Sequence, residues 1–212
     1  MDRRPDRGYG LDRSCEFPVL IGLGPVWSRS FSSLETGPSN TIFNRSRCRL
    51  THFDLCGDLR RGTTDDLISI LSDLPTITHF KLEDKCSRRL DDALMSNMLL
   101  RRLTPSRPGE FDKLLPRLES LEFLGYKAFS WSFLASLVSA ANSDDGTTPE
   151  CTSSIRRISF EVYAEEEMER IDAQSLVHFQ AAHRAGIFRC QVLWGDFGGW
   201  VDDPLSGMDD FS

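Results

Sequence analysis

A six-residue pattern, apolar-x-x-apolar-x-apolar, returns along this chain and limits its possible folds more than any other feature. It occurs as Leu50-Thr51-His52-Phe53-Asp54-Leu55 and as Ile77-Thr78-His79-Phe80-Lys81-Leu82, which share Thr-His-Phe. Leu118-Glu119-Ser120-Leu121-Glu122-Phe123 and Ile155-Arg156-Arg157-Ile158-Ser159-Phe160 continue the series, and Ile187-Phe188-Arg189-Cys190-Gln191-Val192 is a weaker fifth. The last two apolar positions are two apart, so on a strand they point to one side. The first, three residues earlier, turns inward as the strand begins. One such strand cannot hide its apolar side alone, but several stacked in parallel can. Parallel neighbours need a crossover of about a dozen residues or more, usually helical. The units begin 27, 41, 37 and 32 residues apart, which leaves room for it.

The intervening segments read as helices. Thr64-Asp65-Asp66 supplies a hydroxyl cap and two carboxylates at an N-terminus. Leu67, Ile68, Leu71 and Leu74 follow at helical spacing, and Pro75 ends the run. Helical spacing also marks Leu94, Met95, Met98 and Leu99 within Leu90–Arg102, and Trp131, Leu134, Leu137 and Val138 within Ser130–Ala141. The segment Glu165–Ala185 carries Met168, Ile171, Leu176 and Phe179, with Gly186 as its C-cap. These Met and aromatic stripes are expected core. The polar linkers Thr104–Lys113 and Asn142–Ser153 read as surface loops.

The fold class expected is therefore α/β: an irregular βα solenoid over residues 48–194, with parallel strands and helices on the convex side. Residues 1–47 sustain no apolar period, and Gly, Pro, Ser and Arg fill 23 of those positions, so a loosely ordered N-terminal arm is expected. Residues 195–212 carry Asp196, Asp202, Asp203, Asp209 and Asp210 without Lys or Arg, forming an acidic C-terminal tail. Repeat stacks need covered ends, and Trp194, Phe197 and Trp200 are expected to fold back over the last strand.

The six-residue units resemble the strand segment of leucine-rich repeats. Leu74-Pro75-x-Ile77-Thr78, its echo Leu115-Pro116-x-Leu118-Glu119, the uneven unit lengths and Arg101-Arg102-Leu103-Thr104-Pro105 are similar to the C-terminal repeat region of fungal F-box proteins. The resemblance implies a region that selects a client protein for a cullin-based ubiquitin ligase. It departs from the family in two places. Residues 1–47 contain no Leu-Pro-x-Glu-Ile-Leu-type F-box segment, so adaptor docking is not expected of this chain. Asp58, Lys85, Tyr126 and Tyr163 stand three residues past the units, where the repeat family carries Asn or Cys, so an internal amide ladder is not expected. The alternatives are a leucine-rich-repeat scaffold unrelated to ubiquitin, or an α/β enzyme with a deep pocket at its strand ends.

Charge and composition narrow the partners. A net charge of −7 lacks the basic footprint that nucleic-acid phosphates require. The doublets Arg60-Arg61, Arg88-Arg89, Arg101-Arg102 and Arg156-Arg157 are scattered among acidic residues and read as solvated surface. No apolar run reaches the ~18 residues of a membrane span. Six cysteines without a C-x-x-C pair read as reduced thiols of a cytoplasmic or nuclear protein. Phe17–Trp27, the one candidate signal region, is interrupted by Pro18 and Pro25.

No nucleophile elbow, phosphate loop or zinc-protease motif occurs. His178 and His183 are five apart, ~140° around a helix, and share no ligand face. His52 and Cys56 lie close in sequence, but nothing orients them as base and nucleophile. No catalytic residue, metal or cofactor is assigned, and the partner expected is a protein. With apolar positions inward, the residues between them form three outward columns. The first reads His52, His79, Ser120, Arg157, Arg189; the second Asp54, Lys81, Glu122, Ser159, Gln191; the third Cys56, Glu83, Leu124, Glu161, Leu193. The candidate partner face is His52, Asp54, His79, Lys81, Glu83, Glu122, Arg157, Glu161, Arg189 and Gln191. No cluster of Trp, Tyr and Arg is legible on it. Phe53, Phe80, Leu121 and Ile158 should form one buried row, with His52, His79 and Arg157 opposite.

Overall fold

The computed structural model describes residues 18–23, 50–57, 63–84, 93–104, 113–142, 154–164, 170–194 and 200–202. The second half of each six-residue unit forms a strand, and every crossover between the units contains a helix. In chain order the elements are β1 (Pro18–Leu23), β2 (His52–Gly57), α1 (Thr64–Ser72), β3 (His79–Asp84), α2 (Asn97–Leu103) and β4 (Ser120–Tyr126). Then follow α3 (Trp131–Asn142), β5 (Arg157–Ala164), α4 (Ala173–Arg184), β6 (Phe188–Trp194) and β7 (Trp200–Asp202). The sheet order is β1 through β7 without a crossover, parallel from β1 to β6 and antiparallel at β7. The class is α/β, with parallel strands alternating with helices from β2 to β6.

Burial follows the parity of the strands. Phe53, Phe80, Leu121 and Ile158 pair in one register row and are buried, as are Leu55, Leu82, Phe123 and Phe160 in the next. A strand slipped by one residue would present the opposite set to the core. The buried side faces the helices: Leu67 and Leu71 of α1, Leu99 and Leu100 of α2, Trp131 and Leu134 of α3 and Phe179 of α4 join the strand residues in one cluster. Consecutive helices touch one another from α1 to α4, so they form a single layer over that side. Aromatic rings run through the core. Phe53 stacks on Phe80 at 5.9 Å, Phe129 meets Phe123, Trp131 and Phe160 edge-on, and Trp131 leads through Phe179 to Phe188.

The backbone at the strand starts repeats as well. The Thr51 carbonyl accepts from the amides of Thr78 and His79, that of Thr78 from Glu119 and Ser120, and that of Glu119 from Arg156 and Arg157. A hydroxyl just ahead of two units bonds back to the preceding unit: Thr76 Oγ1 donates to the Leu50 carbonyl at 2.8 Å, and Ser154 Oγ to that of Leu118 at 2.7 Å. These bonds precede the units, whereas the repeat family's amide ladder follows them.

Helix ends account for several boundaries that differ from the sequence reading. The cap of α1 is Thr63, one residue before the expected Thr64, because a capping box forms there: Thr63 Oγ1 accepts from the Asp66 amide and Asp66 Oδ2 from the Thr63 amide. Ser96 caps α2, so the helix starts at Asn97 and the buried Ala93, Leu94 and Met95 precede it instead of forming its first turn. Asp172 caps α4, so 170–172 are not helical, and Met168 lies outside the described residues. The Ser175 hydroxyl, then its amide, hold the Asp172 carboxyl below its usual range. A depressed carboxyl stabilises the fold at neutral pH, and that stabilisation is lost as pH falls through the lowered value. Gly186, at φ +73°, ends α4 as expected. Its amide bonds to the His183 carbonyl and that of Ile187 to Ala182, closing a Schellman motif.

Three further readings change. β1, pairing with β2 from Pro18↔His52 to Leu23↔Gly57, lies inside the segment expected to be a loose arm; most of that segment is outside the described residues. β6 sits two residues away from the expected register, with Ile158 opposite Phe188 and Phe160 opposite Cys190. Ile187 and Phe188 are both apolar, and the larger ring takes the core position, fully buried against Phe179 at 4.8 Å. At the C-terminal side, Trp200 pairs with Trp194, so the chain folds back in the plane of the sheet, beside β6. Of the two expected loops, only Thr104, Lys113 and Asn142 are among the described residues.

At Gly125 the backbone leaves no room for a side chain. A Cβ there would lie 2.6 Å from the Asp84 carbonyl oxygen and 2.9 Å from the Phe123 ring. Gly125→Ala is expected to cost about 1–3 kcal/mol through overpacking. Gly186→Ala, with open space around it but a left-handed backbone, should cost about 1 kcal/mol. Chemical denaturation measures both, and a Gly125→Ala chain as stable as the parent would contradict the close approach. Removing residues 195–212 takes β7 away and should lower the melting temperature. Removing 1–14 spares β1 and should leave the melt unchanged.

Candidate functional site

The strand face turned away from the helices carries the candidate partner residues in register rows. His52, His79, Ser120 and Arg157 form the first row. Asp54, Lys81, Glu122, Ser159 and Arg189 form the second, and Cys56, Glu83, Leu124, Glu161 and Gln191 the third. The two-residue offset of β6 moves Arg189 beside Ser159 instead of Arg157, and Gln191 beside Glu161 instead of Ser159. Because that offset is even, both side chains stay on the expected face. Most of these residues are half-buried or exposed. The exception is Ser120, whose small side chain is buried between the larger His79 and Arg157.

The repeated Thr-His-Phe tripeptide gives the face its most ordered feature. Parallel in-register strands place identical residues about 4.8 Å apart, and the imidazoles of His52 and His79 stack with centroids 4.1 Å apart and planes 5° from parallel. Each Nδ1 shares a hydrogen bond with the preceding threonine hydroxyl, at 3.0 Å for Thr51 and 2.9 Å for Thr78. Their Nε2 atoms are outside these bonds. Two parallel stacked rings direct their lone pairs side by side, which is unsuited to gripping one metal ion between them. Among the described residues, no group of three His, Cys, Asp or Glu side chains could hold a metal ion.

The neighbouring corner is bonded within itself. Cys56 Sγ donates to Glu83 Oε2 at 3.6 Å, and Lys81 Nζ reaches the same oxygen at 3.6 Å. Burial, reinforced by the Glu83 carboxylate, pushes the Cys56 thiol above its ordinary value. A thiol held protonated is a poor nucleophile.

At the C-terminal ends of the strands stands a feature that the columns miss. Tyr126 and Tyr163 are register partners on this same face, with rings 5.2 Å apart. Leu193 pairs with Tyr163, and Leu124 stands one outward position before Tyr126. All four are half-buried. They form an aromatic–aliphatic patch where the sequence reading saw none. The available signal was that Tyr126 and Tyr163 each fall three residues past a unit.

Two depressions on the described surface lie near these elements. One, of about 460 Å³, lies at β5 and β6 and is lined by Arg157, Ser159, Glu161, Arg189 and Gln191, with His183 at its side. The other, of about 420 Å³, lies between α3 and α4 and is lined by Ser132, Ser136, Ser139, Asp172 and His178 among others. Comparison with family models, curated proteins and solved structures finds no match. Among the described residues, no helix is long and apolar enough to cross a membrane.

Cys56 should alkylate with iodoacetamide near neutral pH more slowly than a free cysteine thiol. Glu83→Gln, which removes a nearby negative charge, should speed the reaction. Adduct formation followed by mass spectrometry reads both rates, and modification as fast as that of free cysteine would sink this account.

Proposed function

We propose that the chain is a non-catalytic protein-binding module whose outward strand face receives a client protein. In this reading β2 to β6 and their helices form an irregular leucine-rich-repeat-like βα solenoid with the helices on the convex side. The module then resembles the client-recognition region of F-box ubiquitin-ligase subunits. Support for the solenoid comes from the uncrossed strand order and from the carbonyls of Thr51, Thr78 and Glu119, each of which accepts two amides from the next unit. Open α/β sheets that bind small ligands use the crevice where strand order reverses. The order here runs from β1 to β6 without reversal.

One observation carries the binding reading: the outward rows end on the Tyr126–Tyr163 pair flanked by Leu124 and Leu193. Tyrosine is enriched among residues whose truncation costs about 2 kcal/mol or more at protein interfaces, and rings anchored on neighbouring strands lose little freedom on binding. The remainder of the face supplies polar contacts from His52, Lys81, Glu122 and Gln191.

The test compares partners recovered by the parent chain with those recovered by two variants. Tyr126→Ala/Tyr163→Ala alters the strand face, and Met98→Ser/Val177→Ser alters two large apolar residues exposed on the helix layer. A partner that binds the strand face should weaken by about 30-fold or more in the tyrosine variant and keep its affinity in the helix variant. The reverse pattern would move the binding surface to the helices and overturn the proposal.

A further inference from the structure

Between β5 and β6 the outward face changes its chemistry in four even steps. Arg157 opens the lane on β5. Two residues on, Ser159 stands beside Arg189, then Glu161 beside Gln191, and finally Tyr163 beside Leu193. Alternate residues of a strand are about 6.7 Å apart, so the lane runs roughly 20 Å from Arg157 to the Tyr163 row. The depression of about 460 Å³ spans its first three steps. The fourth step belongs to the apolar patch shared with Tyr126.

The first two steps are basic. Arg157 and Arg189 are both exposed, and among the described residues neither has a carboxylate within ion-pair distance. Lys81, by contrast, is 3.6 Å from Glu83. From strand spacing and rise, the two arginine Cα atoms are about 8 Å apart across Ser159. Each guanidinium can therefore take a separate carboxylate, and its fork suits that group. The third step has the opposite preference. Glu161 is exposed and repels a further carboxylate, while Gln191 beside it both donates to and accepts from neutral groups. On β4, Glu122 stands beside Ser159 and confines the basic sector to β5 and β6.

We infer that the client segment received on this lane is extended and acidic at one end. Carboxylates on two alternate residues meet Arg157 and Arg189, and a neutral or basic residue passes Glu161. A large apolar side chain, four residues beyond the nearer carboxylate, lies against Tyr163 and Leu193. This rests on the strand-face reading and adds the chemistry that the face selects. Extended backbone is the conformation that fits, because its alternate side chains repeat at the spacing of the rows. A helix advances only about 5.4 Å per turn and would fall about 4 Å short over the three intervals. Exposed ion pairs are individually weak, so the apolar contact holds the segment and the arginines choose which segment is held.

Fluorescence anisotropy of labelled seven-residue peptides, blocked at both ends and added to the full chain at low salt, provides the test. The first peptide is Asp-Ser-Asp-Ser-Lys-Ser-Phe, prepared in both chain directions. The second replaces each Asp by Asn, and the third, Asp-Phe-Asp-Ser-Lys-Ser-Ser, keeps the composition and loses the spacing. One direction of the first should bind at least about fivefold more tightly than the second and the third. The chain's net charge of −7 attracts the second peptide most, so unspecific attraction would give the opposite order. In Arg157→Gln/Arg189→Gln, two exposed substitutions, the first peptide should lose its advantage over the second. In Tyr126→Ala/Tyr163→Ala it should weaken as well. A first peptide that binds no better than either control overturns the inference, as does an advantage that survives the arginine variant or an absence of binding at about 1 mM. Peptides of equal affinity that all weaken in the tyrosine variant would leave the strand-face reading standing and end this one. Affinities unchanged in both variants would end both.

Discussion

Parallel pairing in register is the constraint on which the rest of this molecule depends. It superposes equivalent positions of successive units at about the strand spacing, so whatever one unit carries its neighbour meets face to face. On the inward side this stacks Phe53 on Phe80 and brings Phe123 to Phe160 at 5.4 Å. On the outward side the same superposition stacks His52 on His79 and sets Tyr126 beside Tyr163. The register is held by the inward residues, because a slip of one would expose large apolar side chains worth about 1.5–3 kcal/mol each when buried. The outward rows are a by-product of core packing, available for recognition without being needed for it.

How much of this was legible in the sequence follows from which signals are periodic. Parity is a two-residue property, and the six-residue units carry it plainly, so the face of each candidate residue follows from the sequence alone. Absolute register is not fixed by parity. In β6 the sequence Ile187-Phe188 offers two apolar residues as the first to enter the core, and the choice turns on which of them fits against Ile158 and Phe179. The face of Arg189 and Gln191 was therefore readable while their neighbours were not. The helix starts illustrate the same limit: Thr63 and Thr64 are chemically equivalent, and only the backbone geometry that joins Thr63 to Asp66 separates them. The tyrosine patch was missed because it lies beyond the six residues that define a unit. β1 was missed because Pro18–Leu23 shows no period and gains its strand from pairing with β2.

The outward face is uneven in how much it offers a partner. Around β2 and β3, polar groups already satisfy one another: Thr51 and Thr78 hold the imidazoles, and Glu83 receives both Cys56 and Lys81. A partner docking there would have to replace bonds that exist, for little net gain. Around β4 to β6 the balance differs. The Tyr126, Tyr163, Leu124 and Leu193 side chains remain partly in water, and Arg157 and Arg189 have no internal counter-ion among the described residues. Burying the first group is favourable through area alone, while the second adds orientation and selectivity more than affinity. A partner received on this face, as proposed, would draw most of its binding energy from β4 to β6.

The ends of the sheet are constrained by the same pairing, because a parallel stack has no intrinsic stop. Each added strand leaves another row of unpaired amides and carbonyls that could recruit a further chain. At β6 the row meets β7, which runs antiparallel and is only three residues long. The reversal breaks the rule that generates the stack, since another parallel unit cannot continue the same register from it. Its shortness leaves little edge to template a second molecule.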